Sequence, residues 1–168
     1  VNASEFLLEL YGRTPPLARR VVDGLRAGQL TEQIAPSANT IAWLIWHVGR
    51  VQDHHVAEIL GVGQLWSAGT WASGFGLDPD PSNTGYGHST GEMLAVRPES
   101  DAVVCDYLEA VSARTASMLR DMSEVDLDRI VDRAWDPPVT LGVRLASVAA
   151  DNLQHVGQAA YVRGILDG

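Results

Sequence analysis

Leu44, His47, Val48, Val51 and His54 recur at the i, i+3, i+4, i+7 spacing that places side chains on one face of a helix. They lie within a stretch that runs from Ile41 to Leu60. Ahead of it stand the capping side chains of Ser37, Asn39 and Thr40, and Gly61 closes it. A stretch with this period must bury its apolar stripe against other elements, and three further stretches offer partners. One begins at Ser4, is interrupted at Thr14-Pro15-Pro16, and is expected to restart there and run to Gly28, since proline is tolerated only in a first turn. Another runs from Pro98 or Ser100 to Met122, and the last follows Asp136-Pro137-Pro138 from Leu141 to Leu166. The pattern predicts an all-α protein, a four-helix bundle formed by residues 1–168 as one domain.

Between the second and third stretches lies a segment, 62–97, rich in glycine and carrying Trp66, Trp71, Phe75, Tyr86 and His88. A connection this long is uncommon in a compact domain and is often functional. It is expected to cross the bundle. Residues 131–140 read as extended or irregular.

With 21 acidic against 12 basic residues and a formal charge of −9, the chain is ill suited to neutralise phosphates. Nucleic acid and anionic membrane surfaces are therefore not expected partners. No apolar run reaches the ~20 residues needed to span a bilayer. The start, Val-Asn-Ala-Ser-Glu, has no secretory pattern, and the single Cys105, in an apolar helical stretch, reads as a small buried hydrophobe. The expected location is the cytoplasm.

His47 falls on the apolar stripe between Trp43 and Trp46, so each ring nitrogen needs a hydrogen-bond partner or a metal. On the last stretch Leu141, Leu145, Val148, Asn152, His155, Ala159 and Val162 share a face, and Asp151 precedes His155 by four residues. Side chains at i and i+4 are neighbours, a spacing that suits two ligands converging on one cation. Spacing alone leaves two readings: a metal-ligand pair, or an Asp151–His155 hydrogen bond at the bundle's rim without metal. His54 lies about 10.5 Å along the axis from His47, too far to share an ion.

The segments Asn39–Val48, Arg50–His55, Gly85–His88, Trp135–Leu145 and Leu153–Ala160 resemble the DinB-like superfamily, in particular its actinobacterial branch. The resemblance covers almost the whole chain. It implies a four-helix bundle with a long crossover after helix two, assembled as a homodimer. It also implies a divalent metal site at His47, Asp151 and His155, with zinc favoured over nickel, iron, manganese or cobalt. Many members carry histidine where this chain has Asp151, and the mycothiol-dependent maleylpyruvate isomerase type carries glutamate, one methylene longer. Some relatives use low-molecular-weight thiols, mycothiol or bacillithiol, as cosubstrates. The expected activity is thus thiol S-transfer or isomerisation, with hydrolysis as a chemical alternative and His54 or His88 as proton shuttles. The competing expectation is a binding or assembly protein without turnover, with exposed aromatics such as Trp66 and Trp71 forming a dimer contact.

Overall fold

The computed structural model describes residues 1–168, with Ala27 described by its backbone alone. Helices α1 (Ala3–Gly12), α2 (Thr14–Val22), α3 (Ala27–Leu30), α4 (Ile41–Leu60), α5 (Trp71–Gly74), α6 (Thr90–Ala95), α7 (Asp101–Asp121) and α8 (Leu141–Leu166) follow in order. A two-stranded antiparallel pair, β1 (Ile130–Asp132) and β2 (Val139–Thr140), precedes α8, with Ile130 opposite Thr140 and Asp132 opposite Val139. The fold is the all-α bundle that the periodicity predicts. α4 packs between α7 and α8, while α1 and α2 cover the other side of those two helices. Among the described residues, no helix is long and apolar enough to cross a membrane.

Local chemistry sets the long helices. The Thr40 hydroxyl accepts from Trp43 N at 3.1 Å to start α4, and Gly61, left-handed at φ 67°, ends it. Ser100 and Thr140 start α7 and α8 in the same way. α2 stops at Val22, short of the expected Gly28. Asp23 is extended (ψ 126°), Gly24 adopts φ 73°, and Leu25 turns back into the core. The freed carbonyls of Val21 and Asp23 accept from Arg163 Nη1 of α8, each at 2.9 Å.

Ten consecutive residues of α4, Ile41 to Arg50, are buried. One apolar cluster gathers Trp46, Trp66, Phe75, Tyr107 and Leu108; a second gathers Tyr11, Val56, Leu119, Leu141 and Leu145. Trp66 is fully buried, 5.9 Å from Trp46 and 5.5 Å from Tyr107 between ring centroids, and Trp71 is half-buried beside Tyr107. This corrects the expectation that these tryptophans form an exposed dimer contact. Truncating Trp66 to alanine would cost about 3–5 kcal/mol by its lost packing. Where α4 meets α7, a Cβ at Gly49 would stand 2.8 Å from the Tyr107 ring, so only glycine permits this approach.

The 62–97 crossover is tied to α4 by two buried polar residues. Asp53 accepts from Leu65 N at 3.0 Å, Trp66 N at 2.8 Å and Tyr107 Oη at 3.0 Å. Arg50 donates to Asn83 O at 2.9 Å, Pro81 O at 3.2 Å and Gln64 Oε1 at 2.8 Å, and it lies 3.6 Å from Asp53. One turn of α4 thus holds both the start and the middle of the crossover.

Candidate metal centre

α4 delivers His47 into the interior, and α8 delivers Asp151 and His155 opposite it, one helical turn apart. Each offers a donor atom, and these three atoms lie within 4.8 Å of one another. Asp151 Oδ2 is 3.8 Å from His47 Nε2, and Asp151 Oδ1 is 3.4 Å from His155 Nδ1. Donors bound to one cation at about 2.0–2.2 Å stand roughly 3–4 Å apart, so the arrangement is close to a ligand set.

Hydrogen bonds to backbone carbonyls set the tautomers of the two imidazoles. His47 Nδ1 donates to the Thr84 carbonyl at 2.6 Å, which leaves Nε2 with its lone pair facing Asp151. Trp43 stacks on the same imidazole, 4.7 Å between centroids and 7° between planes, and fixes its rotation. His155 Nδ1 donates to the Asp151 backbone carbonyl at 2.9 Å, so Nε2 carries its lone pair. His47 thus turns a lone pair towards Asp151, and His155, when neutral, holds one on Nε2.

Asp151 Oδ2 is buried and has no hydrogen-bond partner among the described residues. An orphaned carboxylate oxygen is costly. With two imidazole lone pairs beside it, the missing partner fits a divalent cation. Charge supports that fit. Burial lowers the pKa of His47, against the pull of its bond to Thr84, and so favours the neutral ligating form. Burial acts to raise the pKa of Asp151, but its hydrogen bond to His155 and the surrounding imidazoles outweigh it, and the carboxyl stays ionised. The same hydrogen bond, against burial, raises the pKa of His155. Cation binding would displace that proton.

A cavity of about 410 Å³ opens beside the centre, lined by His47, Asp151, His54, His55, Arg144 and Tyr86. Tyr86, 94% exposed, stands at its rim. The structure brings His47, Asp151 and His155 together and places His54 on the cavity wall, where Gln64 Nε2 approaches its Nδ1 at 3.1 Å. His88 does not line this cavity. Its Nδ1 accepts from Trp43 Nε1 at 3.1 Å, its Nε2 donates to Asn83 Oδ1 at 2.8 Å, and its ring stacks on Trp46. His88 thus braces the crossover, with both nitrogens engaged.

Sequence reasoning missed Thr84, which acts through a backbone carbonyl and leaves no side-chain signal. It also missed Arg144 on the cavity wall, where His55, which the sequence places behind the ligands or at the surface, also stands. Arg144 precedes Asp151 by seven residues, a spacing that puts both on one face of α8. Cys105 is buried as expected, and burial pushes its thiol pKa up to about 11, leaving it a poor nucleophile at neutral pH.

Comparison with known proteins supplies the family. Among solved structures, this chain is similar to the crystal structure of a conserved protein from Enterococcus faecalis, with 28% identity and a TM-score of 0.89. That alignment covers 97% of this chain and 96% of the other. No curated protein matches. Residues 17–168 match the mycothiol S-transferase family. They include α4 and α8 whole, and so all three converging side chains, and the chain belongs to this DinB-like mycothiol S-transferase family.

Proposed function

We propose that this protein is a metal-dependent S-transferase that joins a low-molecular-weight thiol, mycothiol in the first instance, to an electrophilic small molecule. Residues 1–168 act as one domain in this reading, because α8 contributes to both apolar clusters and to the centre. His47, Asp151 and His155 hold the cation. Two neutral imidazoles and one carboxylate favour zinc, and they also accept nickel, iron, manganese or cobalt. The observation that carries the proposal is the unpartnered Asp151 Oδ2 between two imidazoles whose Nδ1 atoms are committed to carbonyls.

A divalent cation bound there would supply the positive charge that lowers a thiol's pKa. The chain's own residues do the rest. Thr84 and Trp43 hold His47 in one tautomer and one plane, so the site is set before substrate arrives. Val51 and Val148 give the cavity apolar surface that limits water around the reacting sulfur. His54, on the wall, passes the thiol proton towards solvent. That role goes to His54 rather than His88, whose nitrogens are both in use. A thiol used in a reducing compartment, together with an inert Cys105, agrees with a cytoplasmic setting.

The test is a conjugation assay with zinc-loaded protein, mycothiol and a fluorogenic alkylating agent. A thiol beside a cation loses its proton one or more units below its free value, so the rate should exceed a chelated control by about tenfold or more. His47→Ala should match the chelated control. Equal rates with and without metal would refute the proposal.

A further inference from the structure

We propose that the outer end of the cavity is an anion pocket, where Arg144 receives a carboxylate carried by the electrophilic substrate. The inference rests on the S-transferase reading only for the identity of that substrate; the pocket itself rests on the geometry of α8 and the 130–140 segment.

Arg144 is largely withdrawn from solvent, its side chain 17% exposed. Its Nη2 donates to Asp132 Oδ2 at 2.7 Å, while its Nε is buried with no partner among the described residues. A guanidinium is always charged and presents its donors in a rigid fork, so Arg144, which lines the cavity with an enclosed Nε–H unsatisfied, lacks an acceptor it strongly requires. Asp132 is itself held by Ala134 N at 2.9 Å. The pair therefore orients the guanidinium while its Nε–H remains without an acceptor. Beside it on the wall, His55 Nδ1 is also buried without a hydrogen bond, its nearest acid being Glu58 Oε2 at 3.5 Å. After burial, Arg144 and then His54 are the main influences that disfavour a proton on His55. His55 therefore stands neutral beside the guanidinium, and a nearby anion would favour its proton and supply the partner its Nδ1 lacks.

The remaining charges limit what the pocket accepts. Asp132 and Glu58 stand close by, so a phosphate dianion would meet two carboxylates, and a singly charged carboxylate suits the one unsatisfied Nε–H better. Length is set by α8. Arg144 and Asp151 are seven residues apart, or about 10.5 Å along the axis. Val51 and Val148 line the same cavity as these two residues. The fitting substrate is an alkyl or aryl carboxylate whose apolar chain spans the cavity between Arg144 and the centre.

Isothermal titration calorimetry of the full, zinc-loaded chain tests this without any turnover. The probes are 4-phenylbutyrate and its uncharged amide. The wild-type protein should bind the acid about tenfold more tightly than the amide. Arg144→Gln should erase the preference, and Arg144→Lys, which keeps the charge and a partner for Asp132, should reduce it. Asp132→Asn should preserve or strengthen it, because it removes the competing carboxylate. A purely structural Arg144–Asp132 pair would instead make the variants on its two sides behave alike. Two further results overturn the proposal: no preference in the wild type, or a preference lost on chelation or in His47→Ala and kept in Arg144→Gln, which would place the acid on the metal. Failure of the conjugation assay would leave this binding result standing.

Discussion

At Gly85 the backbone has φ +91°, and a Cβ built there would come within 2.7 Å of His47 Nδ1, 2.9 Å of Trp46 and 3.2 Å of Trp43. The residue before it, Thr84, supplies the carbonyl that sets the His47 tautomer. Gly85→Ala should therefore do two things together. Strain and overlap should cost about 1–3 kcal/mol of stability, read by urea unfolding. Displacement of Thr84 should weaken zinc binding by about tenfold or more, read by competition with a chromophoric chelator. Stability lost with zinc affinity unchanged would mean that the carbonyl does not orient the ligand. At this scale the sequence was readable wherever helix spacing alone aligns side chains, as for His47 with His54 and Asp151 with His155. It was silent on Thr84, because a backbone acceptor has no residue-type signature. It was silent on the Arg144 guanidinium as well, whose orientation depends on Asp132 arriving from a separate segment.

Among the elements, α4 and α8 begin and end where their sequences predict, because Thr40, Gly61 and Thr140 stop and start helices through contacts within four residues. α2 ended early because Asp23 and Gly24 turn the chain, and Arg163, far along the sequence, captures the exposed carbonyls. The crossover's path was illegible for the same reason, since its anchors are side chains of α4 that look like surface residues in the sequence. Arg50 and Asp53 are fully buried. A buried ion pair adds little net stability over apolar packing, but removing one partner strands the other. Asp53→Asn leaves Arg50 uncompensated and turns an amide donor towards the Leu65 and Trp66 N–H groups. The expected cost is about 3–5 kcal/mol in chemical denaturation. A loss below about 1 kcal/mol would mean that water replaces the carboxylate and that the crossover is held chiefly by the Trp66 packing.

For the whole molecule, the candidate centre joins two helices that pack directly on each other, so a cation there links the stability of the bundle to metal concentration. A ligand that binds only the folded state adds about 2.7 kcal/mol when present at a hundredfold excess over its Kd. For a chain of this size each kcal/mol moves Tm by about 2–4 °C, so saturating zinc should raise Tm by about 5–11 °C. The surface carries a charge of −9 and will attract divalent cations without any specific site. His47→Ala separates the two effects, because it removes one donor and leaves the acidic surface intact. The shift should vanish in that variant, whereas Arg144→Gln, two turns of α8 from Asp151, should retain it. A zinc-dependent shift of equal size in wild type and His47→Ala would assign the stabilisation to the surface, and the three converging side chains would then be no more than a buried hydrogen-bonding group.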